Sequence, residues 1–297
     1  MRKILLFIII LTSTVTYCQK SGIIKDSLTN EPIPFVNIWI ENENIGTTSN
    51  ENGKFILPSY SGYKNLVFSA IGYKTKVINS NLTDLKIILI PEIIELKEIV
   101  IISKNQTSEK TIGKFNKSKI NFYFAGSIKP WIIARYFPYN QDYDKYSHLK
   151  TIKFLTKSDV KDSKFNLRFY SIGKNGEPEN YIYNQNIFGI AKKGKSITEI
   201  DISYLNIQFP KTGFFIAVEW LILEQNKHEY KYTKEHSREK YNGISYEPSF
   251  GIEPGNNDEN CWIYNQGKWR KTWKHNANLK NYIDKYDLLA IELTLTN

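Results

Sequence analysis

Short runs in which apolar and polar residues alternate dominate the chain and predict an all-β protein. Side chains along a strand point to opposite faces in turn, so a period of two is typical of strands with one buried face. Five such runs fall in the first hundred residues: Gly22–Lys25, Phe35–Ile40, Lys54–Leu57, Leu66–Ala70 and Lys86–Ile90. Turn residues bound each run, and Asn52-Gly53 is typical of a tight hairpin turn. The spacing predicts an antiparallel β-sandwich of about seven strands.

The pattern resumes in the last two-thirds of the chain. The predicted strands there are Trp131–Phe137, Leu149–Leu155, Asn166–Ile172, Ser196–Ile202, Gly213–Leu223, Gly243–Pro248, Trp262–Asn265, Lys268–Trp273 and Leu288–Thr296. Nine short strands with irregular loops favour a second, jelly-roll-like β-sandwich over residues 122–297. The polar, lysine-rich residues 103–121 have little to bury and are interpreted as a linker.

The first 18 residues have a different pattern, typical of a secretory signal peptide. Arg2 and Lys3 precede the apolar run Leu5–Leu11, which is too short to span a bilayer. Small side chains follow, and cleavage is expected after Cys18 or Gln19. A lipoprotein signal acylated at Cys18 and an uncleaved anchor are the alternatives. The remainder has no run of apolar residues long enough for a membrane span, so we expect an exported protein without a transmembrane segment after cleavage.

Charge and cysteine content narrow the range of partners. The formal net charge is +10, and it is uneven: residues 19–102 carry a net −1 and the residues after them +9. A basic exported domain favours anionic glycans, lipopolysaccharide or acidic peptides, whereas nucleic acid is a poor candidate in that compartment. A solvated lysine-rich surface is the simpler alternative. After cleavage only Cys261 remains, so neither domain can hold an intrachain disulfide.

Spaced residues in the first module carry a resemblance to a known family. They are Gly22, Asp26, Thr29, Pro32, Ile33, Pro34, Asn37, Gly46, Thr47, Ser49, Gly53, Phe55 and Ser69-Ala70-Ile71-Gly72-Tyr73. This pattern resembles the carboxypeptidase regulatory-like domain, a transthyretin-like β-sandwich common in exported Bacteroidetes proteins, and Glu95 to Ile102 is similar to the strand that ends it. The resemblance covers about residues 20–102, so the first domain is placed at 19–102, and it implies export and an accessory interaction role, without catalysis. The remainder loosely resembles an uncharacterised flavobacterial β-domain.

One predicted hairpin places aromatic side chains on a single face. With Gln-Gly at its tip, Tyr264 would lie opposite Trp269, and Trp262 opposite Lys271. The period of two then adds Trp273 to the same face. One interpretation is a platform that stacks on a sugar ring, with Lys271 binding a polar or anionic group. The alternative is that these aromatic side chains belong to the sandwich core.

The sequence predicts no metal site and no cofactor. His236 and Glu239 match the H-x-x-E pattern of zinc carboxypeptidases, but they lie in a charged stretch that lacks a buried face. His148 and His228 stand alone, and isolated histidines are mostly surface residues or satisfied in the core.

No catalytic residue is predicted either. The apolar neighbours of Cys261 argue for an inert thiol, although His275 could in principle serve it as a base. Glu219, Glu253 and Asp258 could meet in a cleft as a glycosidase pair, but the sequence does not set their separation.

The expected function is therefore a non-enzymatic binding or interaction protein of the cell envelope, in the periplasm or associated with the cell surface or outer membrane. Its partner would be a carbohydrate held by the second sandwich, or an envelope protein. The alternative is an envelope glycan hydrolase or degenerate peptidase that uses carboxylates of the second domain. A binding protein should expose aromatic side chains on a sheet or groove, and an enzyme should show a deep pocket with convergent carboxylates.

Overall fold

The computed structural model describes residues 20–60, 64–79, 84–92, 108–126, 128–234, 237–256, 261–274 and 281–297. The expected signal peptide and the strand expected at 95–102 lie outside the described residues. Among the described residues, no helix has both the length and the apolar character needed to cross a membrane.

The first module, residues 20–92, is a sandwich of seven strands, as predicted. They are β1 (Ser21–Asp26), β2 (Asn37–Ile40), β3 (Gly46–Thr48), β4 (Lys54–Ile56), β5 (Asn65–Ser69), β6 (Lys76–Asn79) and β7 (Asp84–Leu89). The strand orders are β4-β1-β7 in one sheet and β3-β2-β5-β6 in the other. One detail of the prediction is wrong: β1 and β7 pair in parallel, so the sandwich is not purely antiparallel. The last crossing before β7 comes from β5 and β6 of the opposite sheet, and local patterning does not reveal the direction in which a strand pairs.

Several motif residues of the first module have clear structural roles. A Cβ atom at Gly22 would lie 2.2 Å from the carbonyl oxygen of Leu85, so only glycine fits where β1 meets β7. The Asp26 carboxylate accepts hydrogen bonds from the backbone N–H groups of Leu28 (2.6 Å) and Thr29 (3.0 Å) and from the Tyr73 hydroxyl (2.8 Å). These contacts tie the turn after β1 to a distant loop.

The second module, residues 108–297, contains sixteen strands in the described residues. They are β8 (Glu109–Ile112), β9 (Tyr123–Phe124), β10 (Ile132–Phe137), β11 (His148–Ser158), β12 (Ser163–Ile172), β13 (Pro178–Tyr181), β14 (Ile187–Ala191), β15 (Gly194–Asp201), β16 (Phe214–Trp220), β17 (Lys227–Thr233), β18 (Lys240–Tyr246), β19 (Ser249–Gly255), β20 (Cys261–Asn265), β21 (Lys268–Lys271), β22 (Tyr286–Leu289) and β23 (Ile291–Thr296). Short 3-10 helices span Lys117–Lys119, Gln141–Lys145, Ser203–Leu205 and Glu224–Asn226.

Two sheets and a separate hairpin make up this module. The β16 sheet has the order β13-β12-β16-β10-β20-β21, with β14 also paired to β12. The β11 sheet has the order β22-β19-β11-β23-β8, with β15 and β9 added beside β11 and β19. The chain crosses repeatedly between the sheets, in the jelly-roll-like manner predicted. Phe154, Phe165, Trp220 and Phe250 pack edge to face between the sheets. The hairpin β17–β18 pairs with neither sheet.

All nine predicted segments contain β-structure, but Leu288–Thr296 is two strands, β22 and β23, separated at Ala290, and the structure adds others. Strand β8 lies inside residues 103–121, where only a linker was expected, and it pairs with β23 along the edge of the β11 sheet. The sequence did not reveal β8 because the strand is only four residues long and lies in a lysine-rich segment. Its one apolar residue, Ile112, packs against the core once β8 pairs with β23. Strand β17 was missed because most of its residues are exposed and it has no buried apolar face.

Candidate functional site at the junction of the two modules

The central strand β16 is buried on both faces, which is the first sign of how the modules meet. All seven of its residues are buried. Phe214, Ile216, Val218 and Trp220 point inward, into the main core of the second module. Phe215 and Ala217 point outward and join a second apolar cluster with Trp262. Since a strand in an antiparallel sandwich normally leaves one face to solvent, the outer face must be covered by another part of the chain.

The first module covers part of this outer face through a buried polar network centred on Glu219. Arg168 forms an ion pair with Glu219, with 2.6 Å between Nη2 and Oε2, and its Nε donates to the same oxygen at 2.8 Å. Asn37 of β2 donates to the other oxygen, Oε1, at 2.5 Å, and Asn166 also donates to Oε2. Both carboxylate oxygens are therefore occupied, one from each module.

The network continues through the first module and returns to the second. The Thr48 hydroxyl donates to Oδ1 of Asn37 at 2.8 Å and accepts from the backbone N–H of Ile222 at 2.9 Å. Asn37 and Thr48 are neighbours on paired strands, since β2 and β3 align these two residues. A continuous chain of buried hydrogen bonds thus runs from Arg168 to Ile222 through both modules. Such a chain holds the two modules in one relative position, because a shift would leave buried donors and acceptors without partners.

Apolar and aromatic contacts surround the network. The ring of Phe35 packs edge to face on Phe188 at 4.8 Å, and Lys164 lies 5.1 Å from both ring centroids. On the other side, Trp39 packs edge to face on Tyr264 at 6.0 Å. These pairs exclude water from the ion pair between them, which strengthens its electrostatic interaction.

The electrostatics of the network favour the charged state of Arg168. Burial alone would disfavour the guanidinium charge, but the adjacent Glu219 carboxylate overcomes this and raises the pKa of Arg168. Removing either partner would leave an uncompensated buried charge, which is strongly destabilising.

The carboxylates considered for a glycosidase do not share a site in the described residues. Glu219 lies on the outer face of the β16 sheet. Glu253 lies on the β11 sheet, where it forms an ion pair with Arg135 at 2.7 Å. Arg135 follows Ala134, whose side chain is on the outer face, so Arg135 projects from the inner face of its sheet. Asp258 lies outside the described residues.

A cleft of about 1270 Å³ opens beside this junction. Its first wall comes from β1, β3, β4 and β7, and its second from residues 222–224, Lys227, Ile128 and the hairpin strand β18. Three of its aliphatic side chains are well exposed, Ile56 at 59%, Ile128 at 52% and Ile244 at 43%. Exposed isoleucines gathered around one concave surface are typical of a binding site.

Strand β4 lies at the sheet edge that borders the cleft. The Lys54 N–H donates to Oδ1 of Asn50 at 3.0 Å and its carbonyl accepts from the Asn50 N–H at 2.8 Å, so the backbone of Lys54 points away from β1. Backbone groups of alternate residues point the same way along a strand, and those of Ile56 therefore also point away from β1. An edge of this kind can pair with another extended chain.

The aromatic hairpin has the register predicted from sequence, with Trp262 opposite Lys271 and Tyr264 opposite Trp269. Trp262 is 8% exposed, and Lys271 lies over its ring at 5.8 Å. Trp269 is half-buried against Tyr264 at 5.1 Å. In contrast, Trp273 is 59% exposed. The five side chains therefore do not form one flat exposed surface, because the outer cluster and the first module pack against most of them.

The remaining sequence candidates occupy separate places. Cys261 is fully buried, and burial raises the pKa of its thiol to about 12. His236 and His275 lie outside the described residues. His228, which stands alone in the sequence, has Asp159 and Glu247 beside its ring in the structure. No short sequence motif signals this group, since His228 and Glu247 meet only through the pairing of β17 with β18, and Asp159 comes from the distant turn after β11.

Comparisons with known proteins place the first module in a family. No curated protein matches the chain. A structure of the cysteine protease and lectin-like domains of Cwp84, a surface layer associated protein of Clostridium difficile, is 16% identical with a TM-score of 0.37, and covers 66% of this chain and 37% of that chain. A second structure, of clostridial cysteine protease Cwp84 after propeptide cleavage, is 14% identical with a TM-score of 0.38, and covers 85% of this chain and 51% of that chain.

The chain thus spans 37% and 51% of the lengths of these two solved structures, and the similarity carries no functional inference. The family comparison is more informative, because the model of the CarboxypepD_reg-like domain matches residues 20–101. The match begins and ends within one residue of the segment that the sequence motifs indicated, and it includes all seven strands of the first sandwich. Residues 20–101 of this protein are a carboxypeptidase regulatory-like domain.

Proposed function

We propose that this is an exported, non-enzymatic binding protein of the cell envelope that holds an extended segment of an envelope protein in the cleft between its two modules. The single observation that carries the proposal is the cleft itself, which exposes Ile56, Ile128 and Ile244 on walls supplied by both modules. Export is supported by the signal-like pattern of the first 18 residues.

An extended polypeptide suits this cleft because an edge strand and aliphatic side chains border the same space. Main-chain hydrogen bonds to an edge strand give affinity, and pockets for alternate side chains give specificity. The outward backbone groups of Ile56 supply the first element, and the side chains of Ile128 and Ile244 supply the second. Nine isoleucine or leucine residues line the cleft against two aromatic residues, Phe55 and Tyr246, whereas sugar rings are bound chiefly by aromatic faces.

The charge at the cleft favours acidic residues in the bound segment. Lys54, Lys86 and Lys227 line it, against one acidic residue, Glu224. Because Lys227 is already paired with Glu224 and Glu229, the attraction for an acidic segment comes from Lys54 and Lys86. The second module is also strongly basic, with a formal +9 over the residues after 102. Complementary charge mainly speeds association and selects among partners.

Carbohydrate binding is the second candidate, and the exposed side chain of Trp273 is the observation that favours it. Trp273 and the exposed Lys271 lie near the end of the aromatic hairpin, where one ring could stack on a sugar and the amine could meet an anionic substituent. This surface offers one well-exposed ring, which supports weaker and less specific binding than the cleft.

The experiment selects extended peptides from a random library on the full chain and measures their affinity by fluorescence polarisation. We expect Ile56→Asp and Ile244→Asp to lower the affinity by at least about tenfold, since each places a charge among apolar contacts. Ile197→Asp is the matched control, because Ile197 is 48% exposed on β15 and does not line the cleft.

Peptide affinity that both cleft substitutions leave unchanged would contradict the proposal. A glycan array run in parallel separates the second candidate. Glycan binding lost in Trp273→Ala and kept in Ile56→Asp would assign the function to the hairpin instead.

A further inference from the structure

The side chains of Asp159, His228 and Glu247 form a cluster apart from the cleft network. Their ligand atoms all lie within 4.8 Å of one another. Nδ1 of His228 is 3.7 Å from Oδ2 of Asp159 and 3.9 Å from Oε1 of Glu247. These separations are too long for hydrogen bonds. Three ligand atoms therefore face one another across a space without bonding directly.

The separations suit a shared metal ion. Two ligands that each stand about 2.1 Å from Zn²⁺ at a tetrahedral angle are about 3.4 Å apart. The two distances from His228, 3.7 and 3.9 Å, need to close by only a few tenths of an ångström, and the two carboxylates lie within 4.8 Å of each other. One imidazole nitrogen and two carboxylate oxygens are a ligand set that Zn²⁺ accepts, and two carboxylates balance its charge.

Glu247 supplies an independent reason to expect a cation. Its side chain is only 6% exposed, and no lysine or arginine nitrogen of the described residues lies within 4.0 Å of its carboxylate. A buried carboxylate needs hydrogen bonds and a counter-charge to remain ionised. The hydroxyls of Ser245 (3.1 Å) and Ser249 (3.4 Å) donate to it, which supplies hydrogen bonds but no charge. The imidazole of His228 supplies a charge only when it is protonated, whereas a bound cation supplies one when the imidazole is neutral.

The three candidate ligands are held by different parts of the fold. The backbone N–H of Glu247 donates to the carbonyl of the buried Asn226 at 2.8 Å, which fixes the start of the connection after β18. Asp159 sits in the turn between β11 and β12, and His228 lies on β17. The exposed side of Asp159 leaves room for water at the remaining position. Hydrogen bonds from outside the ligand set, such as those of the two serines, orient metal ligands in known sites.

We propose that Asp159, His228 and Glu247 bind Zn²⁺, with water as a fourth ligand, and that the ion attaches the hairpin β17–β18 to the turn after β11. This hairpin pairs with no other strand of the described residues, so the ion would be a cross-link between it and the β11 sheet. The inference does not rest on the proposed peptide binding, although the hairpin that the ion would attach also supplies Lys227, Ile244 and Tyr246 to the cleft.

The test is a Zn²⁺ titration by calorimetry of the full chain, purified without a histidine tag and treated first with EDTA. We expect one ion per chain, with affinity lowered at least about tenfold in both Asp159→Asn and His228→Gln. Asp162→Asn is the matched control, because Asp162 is an exposed acid in the same turn and should leave the affinity unchanged.

The two test residues are at least partly exposed, so both variants should fold, and melts without metal verify this. Co²⁺ provides a second readout, since tetrahedral Co²⁺ gives visible absorption that wild type should show and both variants should lack. The proposal is overturned if the wild-type chain binds no Zn²⁺, if it binds Ca²⁺ in preference, or if both variants keep wild-type affinity.

Discussion

The amide of Asn37 donates a 2.5 Å hydrogen bond to the carboxylate of Glu219, and this contact joins two residues 182 positions apart. Asn37 belongs to the carboxypeptidase regulatory-like domain and Glu219 to the centre of the second sandwich. The contact is fully buried, and Arg168 neutralises the carboxylate from the other side. The two sandwiches therefore share one buried polar network, so a substitution in the first module should also change the stability of the second.

Asn37→Ala should weaken the attachment between the modules. The substitution removes the donor to Glu219 and the acceptor for the Thr48 hydroxyl, both buried. Leaving such groups without partners costs about 1–3 kcal/mol. We expect urea unfolding to show a lower midpoint or to separate into two transitions. Asn65→Ala is the control, since Asn65 makes an exposed hydrogen bond and its loss should cost little. Equal effects of the two substitutions would contradict the role assigned to Asn37.

Glu219→Gln should be more damaging than Asn37→Ala. It leaves the buried guanidinium of Arg168 without its counter-charge, at a cost of about 3–5 kcal/mol. Thermal melts of the variant beside Glu199→Gln measure the effect, because Glu199 is 54% exposed on β15 and its charge is solvated. A melting temperature of Glu219→Gln within about one degree of that of wild type would show that the ion pair is not important for stability.

Trp269 and Trp273 should respond differently to alanine, although the sequence places them on one hairpin face. Trp269 packs on Tyr170 at 5.4 Å and on Tyr264 at 5.1 Å, and its removal should cost about 2–3 kcal/mol, below the value for a fully buried tryptophan. Trp273 is 59% exposed, and its removal should cost less than about 1 kcal/mol. Thermal melts of the two variants measure the difference. A larger loss of stability in Trp273→Ala than in Trp269→Ala would show that Trp273, and not Trp269, is the packed side chain.

Cys261 should resist thiol reagents in the folded protein. Burial raises the pKa of its thiol to about 12, so almost none is thiolate at pH 8, and its side chain is inaccessible. In the chain without its first 18 residues, Cys261 is the sole cysteine. We expect DTNB to label it only after denaturation. Rapid labelling of the native protein at pH 8 would show that the thiol is reachable and reactive.

The stability contributed by Asp26 should disappear in acid. Hydrogen bonds from the backbone N–H groups of Thr29 and Leu28, and from the Tyr73 hydroxyl, lower the pKa of Asp26 below its usual 3.8. A depressed folded-state pKa means that the contribution is complete above about pH 4 and is lost as the pH falls through the folded value. Wild type should therefore be more stable than Asp26→Asn at pH 7, and the difference should shrink at pH 3.

Urea unfolding at the two pH values measures this difference, with the exposed Glu31→Gln as a control that should show no such change. A difference between wild type and Asp26→Asn that stays constant from pH 7 to pH 3 would contradict the expected titration.

The local sequence determined the positions of the strands and the fold of the first module. The period of two and the turn residues located the nine predicted β segments of the second module, although the last of them is two strands. Gln266-Gly267 set the hairpin register correctly, because both features depend on neighbouring residues alone. The family motifs identified the first sandwich because Gly22 and Asp26 are needed at fixed places in its turns and strand contacts.

The tertiary structure decided which faces are covered and which side chains meet. Alternation along β16 cannot show that both faces are buried, since the second cover comes from a module far away in the chain. For the same reason the sequence left Glu219 open as a catalytic carboxylate, while its partners Asn37 and Arg168 occupy both oxygens. His228 is isolated in the sequence and meets Asp159 and Glu247 only after three segments fold together. Local pattern reports the periodicity of side chains, whereas contacts between distant segments depend on the surfaces that those segments build.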